Sequence, residues 1–114
     1  MAPVPLRLKR RAEFLRVAAG GRKAALPGLV LQWRRRADDG PVRVGFTVTR
    51  KVGNAVVRNR TRRRLREAAR LLLCGPEATG HDLVLIGRDG TRTRPFALLV
   101  EDLRRALARA GDAP

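Results

Sequence analysis

The chain has 114 residues and a formal net charge of +16 at pH 7, and 44% of its residues are hydrophobic. This length predicts a single domain over residues 1–114, and the hydrophobic content excludes a wholly disordered basic tail. A folded protein with so large a positive excess is expected to bind a polyanion, of which nucleic acid is the common case.

The cysteine content and the N-terminal segment indicate the cellular compartment of the protein. Cys74 is the only cysteine, which excludes an intrachain disulfide and a cysteine metal site, and we interpret it as an unreactive structural residue. The first residues are basic but include no apolar segment of signal-peptide length. The longest uncharged run, residues 24–33, is too short to span a bilayer. We therefore expect a cytoplasmic protein without a role at a membrane.

The first predicted element is a short helix over residues 10–19. Phe14, Val17 and Ala18 recur there at helical spacing, and the pair Gly20-Gly21 is a common way for a helix to end. The segments that follow alternate instead with the period of a strand.

Two strands are predicted next. Residues 29–34 alternate between an apolar face, which includes Trp33, and a more polar face, so we assign Trp33 to the core. Residues 42–50 alternate more regularly after a turn at residues 38–41. Because the turn between them is short, we expect these two strands to pair as a hairpin.

The second half of the chain predicts a long helix, a strand and a final helix. The long helix begins after Gly53-Asn54 and extends to Leu73. Residues 82–88 form the third strand and residues 95–109 the last helix. The predicted element order, αββαβα, is that of an α+β fold.

The long helix separates an apolar side from a basic side. At about 100° per residue, one set of residues falls within an arc of about 120°, the width of a core-facing stripe. This set is Val57, Thr61, Leu65, Ala68, Ala69 and Leu72. A neighbouring ridge at i, i+4 spacing consists of Arg58, Arg62, Arg66 and Arg70, while Arg60 and Arg64 emerge on the other side. Like charges at this spacing each cost a few tenths of a kcal/mol, and bound phosphates would remove that cost.

Positive charge is concentrated in this helix and its approach. Residues 50–70 hold nine basic side chains and one acid, Glu67, so this segment carries a net +8 of the total +16. A helix face that is merely solvated usually mixes both signs. We therefore expect contact with nucleic acid. So dense a row of arginines is suited to the phosphate backbone rather than to base edges, which disfavours a sequence-specific DNA-binding protein.

The same segment carries a specific resemblance. Residues 52–60 read Val-Gly-Asn-Ala-Val-Val-Arg-Asn-Arg, followed by Arg62-Arg63 and Arg66-Glu67. This run resembles the Arg-Asn-Arg signature of the bacterial ribonuclease P protein subunit. Residues 43–51 resemble the family's strand before the signature, and residues 82–88 resemble its strand after it. Residues 13–17 resemble the family's first helix. The resemblance covers nearly the whole chain in order.

The resemblance implies a fold. It is a compact two-layer α/β sandwich of the α+β class, in which three helices pack on a mostly antiparallel sheet of about four strands. The family also has a left-handed βαβ crossover, in which the strand ending near Thr49 passes through the arginine-rich helix to the strand at Asp82. That hand runs against the strong right-handed preference of parallel connections.

The resemblance also implies a function. Proteins of this family assist a catalytic RNA that removes the 5′ leader from precursor tRNA. The chemistry belongs to the RNA and its Mg²⁺ ions, so the protein is a non-catalytic enzyme subunit that binds no metal tightly itself. The implied partners are this RNA and precursor tRNA, with no obligate protein partner. The residues that would dock the RNA subunit are Arg50, Lys51, Arg58, Asn59, Arg60, Arg62, Arg63 and Arg66.

A second implied surface is a cleft for the single-stranded leader. The positions that match it are Phe14, Ala18, Val30, Gln32, Thr47, Thr49 and Arg88. The chain departs from the family pattern because Ala18 and Gln32 are not aromatic and there is no tyrosine. Base stacking is worth about 1 to 3 kcal/mol per base, so leader binding here is expected to depend more on arginine and hydrogen bonds. Phe14 is the one candidate stacking platform, and its alternative role is a core ring under the first helix.

Two other functions remain open from the residues alone. A structural RNA-binding protein, such as a small ribosomal protein, would show the same charge and composition but would need no leader cleft. A protein that cleaves RNA by itself would need histidine or grouped carboxylates. His81 is the only histidine, and neither Asp38-Asp39 in a turn nor Glu101-Asp102 on a helix is spaced as a metal site.

Overall fold

The computed structural model describes residues 6–73 and 79–112 of the chain, so Cys74 lies outside the described residues. Within these residues five strands and three α-helices follow one another. In chain order they are β1 (Leu6–Arg7), α1 (Arg11–Gly20), β2 (Arg22–Leu26), β3 (Leu29–Arg35), β4 (Arg43–Thr47), α2 (Ala55–Leu72), β5 (His81–Gly87) and α3 (Phe96–Asp112). Short 3₁₀ turns at Arg50–Val52 and Asp89–Thr91 precede α2 and α3. The three predicted helices and three predicted strands are confirmed.

The predicted hairpin between residues 29–34 and residues 42–50 is wrong. The strand order is β1-β4-β5-β3-β2, so β5 lies between β3 and β4 and pairs with both. The reason is the apolar run Leu83-Val84-Leu85-Ile86, which places hydrophobic side chains on both faces of its strand. Such a strand is most stable at the centre of a sheet, where both faces are covered.

Two strands were not predicted. β2 forms the actual hairpin, pairing antiparallel with β3 across the turn at Pro27-Gly28. Its alternation is weak because only Ala24 and Leu26 are buried, whereas the rest of this edge strand is exposed. β1 is two residues long and pairs in parallel with β4. With β4 and β5 also parallel, the sheet has five strands and two of its four pairings are parallel, whereas the resemblance implied about four strands and mostly antiparallel pairing.

The helices cover both faces of the sheet. α2 and α3 pack on the face that carries Leu31, Val44 and Leu85, and this layer holds the main hydrophobic core. α1 packs on the opposite face, where Val17 and Val84 form a smaller cluster. The α+β class and the packing of three helices on the sheet are confirmed, but α1 lies on the opposite side from the other two, so there are three layers instead of the two implied by the resemblance.

The connection from β4 through α2 to β5 joins two parallel neighbouring strands. Its left-handed sense stays a prediction. In the part of the chain that the structure describes, no helix is both long and apolar enough to cross a membrane.

Candidate nucleic-acid interface

Two residues set the start of α2. The Asn54 side chain accepts a hydrogen bond of 3.0 Å from the backbone N–H of Val57, which satisfies one of the donors left free at a helix N-terminus. Gly53 lies so close to this turn that a Cβ atom there would be 2.7 Å from Cγ1 of Val57. The Gly-Asn pair of the signature therefore fixes where α2 begins and how its arginines are oriented.

The apolar side of α2 is buried as predicted. Leu65, Ala68 and Ala69 contribute to the main core, and Thr61 is fully buried with its hydroxyl donating to the carbonyl oxygen of Val57 at 2.8 Å. Because this side is fixed against the sheet, the rest of the helix circumference faces outward with its arginines.

The predicted RNA-docking residues lie on that outward circumference and on the 3₁₀ turn before it. We call them the docking surface: Arg50, Lys51, Arg58, Asn59, Arg60, Arg62, Arg63 and Arg66. Arg58 and Arg62 are half-buried, and the others are exposed. Asn59 accepts a hydrogen bond of 3.0 Å from Arg62, which orients that guanidinium. Among the described residues, no cation of this surface forms an ion pair with a carboxylate.

The neighbouring Arg64 has a different role. Its guanidinium donates to the carbonyl oxygen of Arg94 and lies 5.8 Å from the ring centroid of Phe96. These contacts tie α2 to the start of α3. Arg64 is therefore a packing residue, in agreement with its predicted position on the other side of the helix.

The opposite face of the sheet carries part of the predicted leader cleft. Thr47 and Val30 both pair with Ile86, and Gln32 pairs with Val84, so these side chains form adjacent rows on the α1 side. Val30, Gln32 and Thr47 are all half-buried. The structure thus brings these three predicted residues together beside α1.

Phe14 contacts the same face. A Cβ atom at Gly45 would lie 2.5 Å from Cε1 of Phe14, so the absence of a side chain at Gly45 is what admits the ring. The ring also packs with the cluster that contains Val17 and Val84, yet it remains half-buried rather than enclosed. Phe14 is therefore partly packed and partly accessible, and its stacking role stays a prediction.

The other three predicted cleft residues are exposed. Ala18 is on α1, and Thr49 lies just beyond the end of β4. Arg88 follows β5, and its Nη1 donates to the carbonyl oxygen of Leu26 at 2.8 Å, which directs its side chain toward the β2 edge.

Sequence reasoning missed an ion-pair cluster at one end of the sheet. We call it the Asp82 cluster: Glu13, Arg36, Asp38, Arg43 and Asp82. Arg43 makes two hydrogen bonds to Asp82, of 2.8 and 2.7 Å, and another of 3.0 Å to Glu13. Arg36 donates to Asp82 at 2.8 Å and to Asp38 at 3.0 Å. The only local signal was the closeness of Arg36 to Asp38, since Arg43 and Asp82 are 39 residues apart.

The cluster lowers the pKa values of its carboxyl groups. Burial opposes ionisation of Asp82, but hydrogen bonds from Arg43 and Arg36 outweigh it, so the pKa of Asp82 lies below its ordinary value. The pKa of Glu13 is lowered mainly by backbone N–H groups of Arg10 and Lys9, and that of Asp38 mainly by Arg36. The carboxylates that could have attracted a cation are thus already neutralised by arginine.

Two of the remaining candidates for catalysis or metal binding are also engaged. Asp102 is buried, pairs with Arg94 at 2.6 Å and accepts from the backbone N–H of Gly28 at 2.9 Å. His81 is half-buried, with Nδ1 3.1 Å from the carbonyl oxygen of Thr79. In residues 6–73 and 79–112, no three His, Cys, Asp or Glu side chains come together as a metal site.

The chain matches the family model described as Ribonuclease P over residues 3–111. It belongs to the ribonuclease P protein family. The ribonuclease P protein component of Gluconacetobacter diazotrophicus is 66% identical over 111 residues, which cover 97% of this chain and 96% of that protein. The corresponding protein of Paramagnetospirillum magneticum is 53% identical and covers 92% of this chain and 82% of its own length.

Solved structures of the ribonuclease P family agree in fold. The ribonuclease P protein from Thermotoga maritima superimposes with a TM-score of 0.77 at 31% identity, covering 90% of this chain and 96% of that one. The sequence resemblance is therefore confirmed. The chain is a protein component of a tRNA-processing ribonuclease, and such components act with RNA in a ribonucleoprotein.

Proposed function

We propose that this chain is the protein cofactor of ribonuclease P, binding the catalytic RNA through the docking surface and the 5′ leader of precursor tRNA through the cleft beside α1. The observation that carries the proposal is the set of unpaired cations on and before α2. Among the described residues, six other arginines have carboxylate partners within 4 Å, namely Arg36, Arg43, Arg70, Arg94, Arg104 and Arg105.

Unpaired arginines at helical spacing repel one another unless anions neutralise them. A guanidinium donates a planar pair of hydrogen bonds that matches phosphate oxygens, and each phosphate neutralised releases condensed counterions from the RNA. Docking to RNA therefore removes a repulsion and gains entropy in the same step. Both effects favour the RNA subunit as the partner of the docking surface.

The leader cleft is supported by its composition and its position. Its half-buried residues offer a ring edge, a hydroxyl and an amide on one sheet face, which suits an unpaired strand of varied sequence. The cleft lies on the opposite sheet face from α2. One protein can therefore bind the catalytic RNA on one side and hold the leader on the other.

The chemistry is assigned to the RNA and its Mg²⁺ ions. The carboxylates of the Asp82 cluster and of Asp102 bind arginines, so these described side chains do not fit a tight Mg²⁺ site. The protein's role in the reaction is to bind and orient the two RNAs and to reduce phosphate repulsion, which lowers the Mg²⁺ concentration they need. We also assign the chain to the cytoplasm, with no membrane partner and no obligate protein partner.

The decisive test is cleavage of precursor tRNA by a bacterial ribonuclease P RNA at low Mg²⁺, with and without this protein. We expect the cut at the mature 5′ end only when RNA and protein are both present. Cleavage by the protein alone would overturn the assignment of chemistry to RNA. Tight RNA binding with no gain in cleavage, across RNA subunits of different types, would favour a structural RNA-binding protein.

A further inference from the structure

A pocket of about 220 Å³ lies between α2 and the β1 edge of the sheet. Its lining consists of Arg7, Val44, Phe46, Arg66, Glu67, Ala69 and Arg70. Val44 and Phe46 of β4, with Ala69, form an apolar floor, and the charged side chains stand around it. None of the functions assigned above uses this pocket as a binding site.

The pocket has the composition of a site for one nucleotide. The half-buried ring of Phe46 offers an aromatic surface, and the guanidinium carbon of Arg7 lies over it, 6.0 Å from its centroid. Because Arg7 is exposed, its side chain can move aside for a base and donate to the phosphate instead. An unpaired base can stack on such a ring while arginine donates to its phosphate. The volume is below the roughly 300 to 1,000 Å³ of sites for drug-sized ligands, so it suits a single base.

The charges of the rim favour an anion. Arg70 forms an ion pair of 3.0 Å with Glu67, and both side chains are at least half exposed. Arg7 and Arg66 are exposed and, among the described residues, have no carboxylate partner. The rim therefore retains a positive excess after its own ion pair is counted.

Position decides which RNA supplies the nucleotide. Arg66 belongs to the docking surface and to the pocket, so the two are continuous along α2. The leader cleft is on the opposite face of the sheet, beside α1. We infer that the pocket binds a single unpaired nucleotide of the RNA subunit, with its base on Phe46 and its phosphate between Arg7 and Arg66.

This inference rests on the proposed function, and Phe46→Leu tests it separately. Leucine keeps an apolar side chain at the core edge but removes the ring, so we expect the holoenzyme's RNA subunit to bind about 5-fold to 20-fold more weakly. No charge is lost, so the salt dependence of binding stays unchanged. Phe96→Leu is the matched control, because Phe96 also lies under an arginine but outside the pocket; it should bind like the wild type.

Equal affinity for wild type, Phe46→Leu and Phe96→Leu would overturn the inference while leaving the proposed function intact. Failure of the proposed function would appear differently, as no gain in precursor cleavage when the wild-type protein is added.

Phe46 packs against the core, so a thermal melt of each variant is required. If Phe46→Leu does not fold, crosslinking decides: wild-type protein with 4-thiouridine-substituted RNA subunit should give an adduct at Phe46. Adducts confined to Arg60 and Arg63 would refute the pocket.

Discussion

Arginine has opposite roles in two regions of this molecule. In the Asp82 cluster, Arg36 and Arg43 surround a carboxylate whose side chain is only 2% exposed, and every guanidinium there has an acidic partner. On the docking surface, the same residue type has no acidic partner among the described residues. The difference shows that net charge by itself does not identify a binding surface. The useful signal is a dense row of basic side chains on one helix that the fold leaves without counter-charges.

The largest expected effect comes from removing charge on the docking surface. Replacing Arg60, Arg62 and Arg63 together with alanine should weaken binding of the RNA subunit about 100-fold and lower the log-log salt slope by nearly three units. The measurement is a binding titration at several salt concentrations. Thermal stability should change little, since none of the three pairs with a carboxylate.

The matched control removes three arginines from α3, namely Arg104, Arg105 and Arg109, which are exposed. It changes net charge by the same amount but leaves the docking surface intact. An equal loss of affinity in both triple variants would mean that overall charge, rather than the docking surface, governs binding.

A smaller effect, on stability rather than binding, is expected at the Asp82 cluster. Asp82→Asn leaves Arg36 and Arg43 facing a neutral amide, and we expect the free energy of unfolding to fall by about 2 to 3 kcal/mol. Chemical denaturation measures it, with Asp39→Asn as control, because Asp39 is an exposed acid nearby. RNA affinity of the folded Asp82→Asn protein should match the wild type. A variant as stable as the wild type would contradict the structural role of the cluster.

The cluster also predicts a pH dependence. Because the folded state lowers the pKa values of Asp82 and Glu13, their contribution to stability is complete above the ordinary values of 3.8 and 4.5. It is lost as pH falls through the lower folded-state values. Stability of the wild type should therefore decline below about pH 4, and Asp82→Asn should decline less steeply. Parallel acid profiles for the two proteins would argue against this assignment.

The smallest expected effect is a shift in thermal midpoint on anion binding, which should depend on the docking surface and not on the Asp82 cluster. Sulfate should raise the thermal midpoint by a few degrees more than chloride at matched ionic strength, because it binds the unpaired arginines of the folded state. The additional rise should disappear in the Arg60, Arg62 and Arg63 triple variant and persist in Asp82→Asn. If sulfate and chloride raise the thermal midpoint of the wild type equally, the effect is general screening of charge by salt and not anion binding.

The sequence determined those features that depend on neighbours along the chain. The periodicity of α2, its start after Asn54 and the buried Trp33, which is 7% exposed, were all predicted from local pattern. Alternation also identified Val30, Gln32 and Thr47 as the less apolar faces of their strands. These properties follow from geometry that repeats every two or 3.6 residues.

Only the tertiary structure decided which distant segments meet. It inserted β5 between β3 and β4, which no alternation within those strands could indicate, because burial on both faces depends on what covers the sheet. It joined Arg43 to Asp82 and left the docking surface without acids, and it placed Arg7 beside Phe46. Pairing between residues far apart in sequence depends on packing of the whole chain, and that packing decided which arginines form ion pairs and which, among the described residues, have no acidic partner.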